Sequence, residues 1–151
     1  SKTFGIPGWR LGYYYGPEDF VNESMKVQDT TTICAPAPTQ YLGIDLLRNR
    51  HSIIPIHKEL MKTNHKLAKD LLEEINWLET EGGNGAYYLF PQQTTGKNSE
   101  KLAHELIVDH KVALVPGSAF GSNFYDYFRI SFANVKEEEL KEAFSRLKKV
   151  N

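Results

Sequence analysis

Residues 1–15 carry the most specific pattern of the chain and read Ser1-Lys2-Thr3-Phe4-Gly5-Ile6-Pro7-Gly8-Trp9-Arg10-Leu11-Gly12-Tyr13-Tyr14-Tyr15. The stretch places a lysine beside a small hydroxyl residue, continues through a glycine-rich turn, and reaches an arginine followed by aromatic residues. Lysine is the side chain that forms Schiff bases with carbonyl compounds. Arginine presents a planar, permanently charged fork that suits a phosphate, and glycines permit tight turns and close backbone approach. These groups together suit a small molecule that carries both an aldehyde and a phosphate.

Pyridoxal phosphate is such a molecule, with its aldehyde on Lys2 and its phosphate on Arg10. The alternative is that both are surface residues, since most lysines and arginines lie on protein surfaces. The spacing favours the first interpretation. Ser1-Lys2, five small or apolar residues, and then Gly8-Trp9-Arg10-Leu11-Gly12-Tyr13 resemble the lysine segment of class I/II (fold-type I) aminotransferases.

This resemblance implies an α/β fold. The chain would be the C-terminal small domain of a fold-type I pyridoxal-phosphate enzyme, with helices packed on a small sheet, a remnant of the large domain and a long connecting helix. We expect the remnant of the large cofactor-binding domain at 1–52, the connecting helix at 53–82 and the small domain at 83–151. Family members carry a long stretch before this lysine, so we interpret the chain as the C-terminal portion of a longer enzyme.

The resemblance also assigns roles to the first motif. Lys2 would be the catalytic residue. Ser1, Lys2 and Arg10 would bind pyridoxal 5'-phosphate, and the substrates would be an amino acid and a 2-oxo acid. A homodimer is the expected state of the full-length enzyme.

Composition limits the other possible functions. The chain has 151 residues, of which 40% are hydrophobic and 25% charged, values typical of a soluble globular protein. The net charge of −1 gives no electrostatic reason to expect nucleic acid or an anionic membrane as a partner, and no apolar run reaches membrane-spanning length. A single cysteine, Cys34, excludes an internal disulfide and fits a reducing compartment. We therefore expect a cytoplasmic protein.

The first half of the chain is predicted to be mostly helical. Aromatic alternation predicts a strand at Trp9–Tyr15, ended by Gly16-Pro17. Helices are expected at 18–28, at 40–48 with Thr39 as the cap, and at 57–80. The last has a leucine-rich apolar stripe and is stopped by the glycines of residues 82–85.

The second half is predicted to alternate strands and helices. Strands are expected at 86–90, 112–115 and 125–132. Ser99 would cap a helix at 100–110, and the pair Asn134 and Glu137 would begin a final helix that runs to about Lys149. The order strand–helix–strand–strand–helix predicts helices on one small sheet.

Arg129 lies within the most regular strand pattern of the chain. Phe128, Ile130 and Phe132 alternate with it, so the arginine faces the other side of the strand. An unpaired buried charge is costly, which leaves two interpretations. Arg129 forms a buried ion pair with Asp126 or Asp109, or it binds a substrate carboxylate as a bidentate pair.

A second resemblance favours substrate binding. Residues 115–121 read Val-Pro-Gly-Ser-Ala-Phe-Gly and residues 128–133 read Phe-Arg-Ile-Ser-Phe-Ala. The first segment is similar to a loop of the aminotransferases, and the second is similar to the strand that follows this loop. In that family the arginine of the strand binds the α-carboxylate of the amino acid. The resemblance therefore makes Arg129 the substrate-binding residue.

No metal site is expected. His104-Glu105 begins a zinc-protease-like pattern, but the position four after His104 is Val108, so the second ligand is missing. Cys34 has no evident activating partner and is interpreted as a small core residue.

The first hypothesis is a PLP-dependent aminotransferase whose C-terminal portion, alone, is inactive. Within the same fold type, a β-lyase, a decarboxylase or an acyltransferase would share Lys2 and Arg10, although Arg129 weakens the decarboxylase case. The hypothesis from a different class is a non-catalytic folding or association module.

Overall fold

The computed structural model describes residues 1–80 and 82–150. The chain divides into two units, Ser1–Glu59 and the part that begins at Leu60. Helix α3, Arg50–Leu72, contributes residues to both.

The first unit contains a 3₁₀ turn at Pro7–Trp9 and two helices, α1 at Glu18–Thr31 and α2 at Ala37–Arg48. Glu18 and Asp19 lie in the first turn of α1, where acidic side chains interact favourably with the helix dipole. The predicted helix at 18–28 is present and extends three residues further. Thr39 is buried inside α2, and Pro36 is the residue that precedes the helix. The prediction of Thr39 as the cap was wrong, because prolines favour the first helical turn.

The predicted strand at Trp9–Tyr15 is wrong. Trp9 ends the 3₁₀ turn, and Arg10 has a φ of 51°, in the left-handed region. Residues 10–16 form no regular element. A strand requires a hydrogen-bonded neighbour, and the described part of the first unit contains no strand to pair with. Aromatic alternation alone therefore could not produce one.

Helix α3 begins and ends earlier than the expected 57–80. It has Pro55 in its interior and stops at Leu72. Ile75 and Leu78 continue the apolar stripe in sequence, but they are buried in a turn and in strand β1, Leu78–Glu79. Burial in the core decides their conformation over helical periodicity. The glycines at 82–85 consequently follow a strand and not a helix.

The second unit contains an antiparallel three-stranded sheet with the order β2–β5–β4. Its strands are β2, Tyr88–Leu89, β4, Val115–Pro116, and β5, Phe128–Ser131. Leu89 pairs with Ile130, and Val115 pairs with Arg129. Strand β1 pairs separately with β3, Gln92–Gln93. Strands β2, β4 and β5 are shorter than the predicted strands at 86–90, 112–115 and 125–132, and β1 and β3 lie where no strand was predicted.

The second unit also contains α4, Ser99–Val108, and α5, Glu137–Leu147, together with 3₁₀ turns at Gly117–Phe120 and Ser122–Phe124. The Asn98 side chain accepts a hydrogen bond from Glu100 N at 2.9 Å, so Asn98 and not Ser99 caps α4. The Glu139 carboxylate accepts from Lys136 N at 2.8 Å, so α5 begins two residues later than the Asn134–Glu137 pattern predicts.

One apolar core joins the helices and the sheet of the second unit. It includes residues of α3, α4, α5, β2 and β5, and Phe128, Phe132 and Phe144 are fully buried. Burying each such ring stabilises the unit by about 1.5–3 kcal/mol. The predicted arrangement of helices packed on a small sheet is confirmed. Cys34, in contrast, is exposed, and its interpretation as a core residue was wrong.

Candidate active-site segments

Residues 1–11 form a loop closed by hydrogen bonds. Gly5 N donates to Lys2 O and Ile6 N donates to Ser1 O, both at 3.0 Å. The Ser1 hydroxyl donates to Leu11 O, which joins the two ends of the loop. Lys2 and Arg10 are the neighbours of these two residues, so the bond brings the two predicted cofactor ligands to the same end of the loop.

Arg10 owes its place to the 3₁₀ turn. Its backbone N–H donates to Pro7 O at 3.3 Å, and its left-handed φ reverses the chain after the turn. The guanidinium Nη1 donates to the same carbonyl at 2.8 Å. The side chain is exposed, and its other N–H groups have no acceptor among the residues that the structure describes.

Two glycines hold this loop against the helices of the first unit. Gly5 has a φ of 66°, and a Cβ there would lie 2.8 Å from the His57 imidazole of α3. A Cβ on Gly43 of α2 would lie 2.4 Å from the Leu11 side chain. The absence of side chains at these positions therefore lets the loop approach both helices.

The residues of the loop fit pyridoxal phosphate. Lys2 is exposed and supplies a primary amine, and Arg10 supplies unengaged N–H donors for a phosphate. Nothing lies within 4 Å of where a Cβ would stand on Gly8 or Gly12, so there is open space beside both glycines. The hydroxyl hydrogen of Ser1 is engaged with Leu11 O, and a phosphate contact would require this bond to be exchanged. The Ser1–Leu11 bond thus places the backbones of Lys2 and Arg10 at one end of the loop and engages the Ser1 hydroxyl within the loop itself.

Arg129 lies in β5 on the sheet face opposite the core. Phe128 and Ile130 are buried on one side, and Arg129 is half-buried on the other. Tyr88 faces the same side, because it pairs with Ser131, two residues after Arg129. The Arg129 Nε is shut off from solvent and has no hydrogen-bond partner among the described residues. A buried donor without a partner costs about 1–3 kcal/mol.

No carboxylate neutralises Arg129 within the described residues. Asp126 instead accepts a hydrogen bond from Gln92 Nε2 at 2.6 Å, and Asp109 is an exposed residue that directly follows α4. The predicted alternative, a buried ion pair with either aspartate, is therefore wrong.

Aromatic rings surround the guanidinium. Its central carbon lies 4.5 Å from the ring centroid of Tyr88 and 5.1 Å from that of Phe120. Phe90 contacts Phe120 edge-on at 5.6 Å and is stacked on Tyr127 at 5.2 Å. Sequence reasoning missed these contacts. The signals were the position of Phe120 in the loop that resembles aminotransferases and the apolar run at 86–90, but neither reveals which residues meet across a sheet.

A cavity of about 410 Å³ opens beside this aromatic cluster. Tyr88, Phe90, Gln92 and Tyr127 line it together with residues 79, 80, 82 and 83. Tyr127 OH donates weakly to Gln92 Oε1 at 3.4 Å, so one wall of the cavity is polar.

Two further findings concern other kinds of site. Among residues 1–80 and 82–150, histidine, cysteine and acidic side chains nowhere gather in threes in a way that would hold a metal ion. No helix in the same residues has the length and apolar character needed to cross a membrane.

Known proteins resemble the whole chain. The sequence profile of the family "Aminotransferase class I and II" matches residues 1–147. The chain is 35% identical to the aspartate aminotransferase of Pyrococcus abyssi and 35% identical to an aromatic aminotransferase of Arabidopsis thaliana, and 99% of the chain is aligned in each case. The crystal structure of an aromatic aminotransferase from Pyrococcus horikoshii superposes with a TM-score of 0.81 at 35% identity and covers 98% of the chain.

The chain matches only part of the length of each relative. The chain spans 39% and 38% of the two curated relatives, and 40% of the Pyrococcus horikoshii protein. The profile, the relatives and the mixed α/β structure agree on one assignment. The chain belongs to the class I and II aminotransferase family and has the fold of the fold-type I enzymes.

Proposed function

We propose that the chain is the C-terminal portion of a pyridoxal-phosphate-dependent aminotransferase, which moves an amino group between an amino acid and a 2-oxo acid. The observation that carries the proposal is the closed loop of residues 1–11, in which the Ser1–Leu11 bond brings Lys2 and Arg10 to one end. The family match over residues 1–147 supports it.

Lys2 and Arg10 have different roles in this proposal. The Lys2 amine would hold the cofactor through its aldehyde. With the substrate in place, the Lys2 Nζ would accept the proton from the substrate Cα and deliver it to the C4′ carbon of the cofactor. The Arg10 guanidinium binds the phosphate through its unengaged N–H groups. The bound cofactor supplies the electron sink that makes loss of the Cα proton possible.

Arg129 binds the substrate's α-carboxylate in this proposal. The support is that its guanidinium is half-buried, has no carboxylate partner among the described residues, and keeps an unpaired Nε. A residue that served only stability would be paired, because an unpaired buried donor destabilises the fold. The substrate is therefore an amino acid or 2-oxo acid with a free carboxylate, which both partner compounds of a transamination possess.

Substitutions in the full-length enzyme test the cofactor site. Lys2→Ala is expected to abolish nearly all turnover and the visible absorption of lysine-bound cofactor, because the covalent anchor and the proton carrier disappear together. Arg10→Ala is expected to weaken cofactor binding by about 10- to 100-fold while the absorption band is retained at saturating cofactor.

Matched controls are Lys26→Ala and Arg48→Ala, which remove exposed cations that are not part of the loop of residues 1–11. Both should leave turnover and absorption unchanged. Normal turnover by Lys2→Ala would show that the assignment of the first motif is wrong.

The proposal also includes a cytoplasmic homodimer. Its support is the family resemblance for the dimer and the single cysteine for the reducing compartment. Light scattering of the full-length enzyme would measure the molecular mass, and a monomeric mass would contradict the dimer.

One observation favours a second candidate, a folding and association module. The first unit exposes several large apolar side chains, among them Tyr13, Tyr15, Tyr41 and Ile56, which are 76%, 92%, 74% and 75% exposed. Exposed apolar surface of this kind drives association. Purified chain that binds pyridoxal phosphate on Lys2 would favour the enzyme, and concentration-dependent association without cofactor binding would favour the module.

A further inference from the structure

The Arg129 guanidinium is bounded by two rings and by no polar partner in the part of the chain that the structure describes. Its central carbon lies 4.5 Å from the Tyr88 centroid and 5.1 Å from the Phe120 centroid, both within cation–π range. We propose that Tyr88 and Phe120 are positioning residues that hold the Arg129 guanidinium in the orientation that a substrate carboxylate requires. This inference rests on the proposed role of Arg129 in the transaminase.

The physical reason is that a bidentate pair depends on angle. The two parallel N–H···O bonds form only when the guanidinium plane and the carboxylate plane coincide. An arginine side chain has many rotamers, and fixing it costs conformational entropy at the moment of binding unless it is already fixed. A carboxylate of the protein would fix the arginine side chain, but it would also neutralise the guanidinium and take up the N–H groups that the substrate needs. Aromatic faces attract the guanidinium while leaving its N–H edge available.

The rings themselves are supported. Tyr88 is held by the pairing of β2 with β5, opposite Ser131. Phe120 is held by the edge-on contact with Phe90, which in turn is stacked on Tyr127. Because each ring is anchored to the sheet or to another ring, the guanidinium is restrained by parts of the fold that do not depend on the substrate.

The burial of Nε limits the direction from which a carboxylate can approach the guanidinium. Since Nε is shut off from solvent, a carboxylate reaches the guanidinium through its two terminal nitrogens. The end-on approach uses both terminal N–H groups in parallel. The rings over the guanidinium therefore set the tilt of the edge that meets the substrate.

Four variants of the full-length enzyme test the inference. Tyr88→Leu and Phe120→Leu are each expected to raise the amino-acid KM by about 3- to 30-fold, with kcat within about twofold and the absorption of bound cofactor unchanged. Tyr88→Phe keeps the ring and should retain the KM. Phe124→Leu is the matched control, because Phe124 belongs to the same aromatic cluster and contacts Phe90 and Tyr127, but no contact joins its ring to Arg129 in the described residues.

A double variant distinguishes positioning from general loosening. If the rings act through the guanidinium, Tyr88→Leu should add little to the KM increase that Arg129→Lys already causes. A KM increase in Phe124→Leu equal to that in Phe120→Leu would contradict the inference, as would full additivity. Phe120 is 44% exposed and is the last residue of a 3₁₀ turn at Gly117–Phe120, so its variant is expected to fold even if Tyr88→Leu does not.

The outcomes separate this inference from the proposed function. An Arg129→Lys variant with unchanged KM would overturn the proposed substrate role. If Arg129→Lys raises the KM and neither leucine variant does, the substrate role stands and the positioning role of Tyr88 and Phe120 is wrong.

Discussion

Ile33 has a backbone conformation that its side chain disfavours. It follows α1 with a φ of 61°, and its N–H donates to Gln28 O at 3.0 Å in the manner of a helix-ending motif. Glycine usually occupies this position, because the left-handed region costs other residues about 1–2 kcal/mol. Since Ile33 is 68% exposed, little packing offsets that cost.

We therefore predict that Ile33→Gly raises the free energy of unfolding by about 1 kcal/mol, measured by urea denaturation of the chain. Ile33→Ala keeps a Cβ and should change the stability much less. A destabilised glycine variant would show that the isoleucine side chain makes contacts that outweigh the strain.

Tyr87 should make stability depend on alkaline pH. Burial, and secondarily the neighbouring Tyr88, raise the pKa of the Tyr87 phenol above its ordinary value of 10.0. The folded state therefore keeps the phenol proton at pH values where the unfolded chain has lost it, and the stabilisation is lost as pH rises above about 10 through the higher pKa of the folded state.

Tyr87→Phe removes this titration, so the variant should lose less stability than the wild type between pH 9 and 11, as measured by thermal unfolding. Tyr125→Phe, at an exposed tyrosine, is the control and should follow the wild type. Identical pH profiles for wild type and Tyr87→Phe would contradict the prediction.

At the scale of elements, the turn before β5 depends on the absence of a side chain at Gly117. A Cβ there would lie 2.2 Å from the Phe124 carbonyl oxygen, and Gly117 N donates to Tyr127 O at 2.7 Å. Both neighbouring groups are backbone and cannot move away cheaply. The closeness of three backbone segments, and not a left-handed φ, is what requires glycine here.

Gly117→Ala is accordingly expected to destabilise the chain by about 1–3 kcal/mol, measured by denaturant unfolding. Gly85→Ala is the matched control, because nothing lies within 4 Å of its added methyl group. Equal effects of the two substitutions would show that helix and loop propensity, and not the close approach, decides the result.

Helices were easier to predict from the sequence than strands. The acidic residues after Pro17 predicted α1, and the apolar stripe predicted α5. Both signals depend only on residues close in sequence, and both helices are present. The strand at Trp9–Tyr15 is absent and those of the second unit are short, because strand formation depends on a partner from a distant part of the chain. Leu78 shows the same limit, since its burial in β1 interrupts a helical pattern that the sequence continues.

The sequence was sufficient to predict the charged residues of the candidate site, but not the residues that contact them. Lys2, Arg10 and Arg129 carry chemistry that residue type and spacing reveal, and their roles remain predictions. The Ser1–Leu11 bond and the rings at Tyr88 and Phe120 depend on three-dimensional proximity. A pattern of residues along the chain holds no information on such contacts unless the pairing of strands is known.

At the scale of the whole molecule, the chain alone is expected to show no measurable transamination. In the resembling family, the groups that contact the ring nitrogen of the cofactor and stack on its ring precede the lysine segment, and this chain spans 39% of one curated relative. The loss of two or three preorganised contacts lowers rates by several powers of ten. Assays of the purified chain with an amino acid, a 2-oxo acid and pyridoxal phosphate should give the rate of free cofactor, and a faster rate would contradict the prediction.

Helix α3 has two parts that should differ in the exchange of their amide hydrogens with solvent. Pro55 has no N–H, so the carbonyl of His51 lacks the helical donor four residues later. The buried residues of the helix, Ala68 and Leu72, both lie near its C-terminal end. Amide hydrogens near Pro55 exchange through local fraying of the helix, whereas those near Ala68 exchange only when the core opens. One continuous helix would therefore show a gradient of deuterium uptake, with its first turns exchanging orders of magnitude faster than its last.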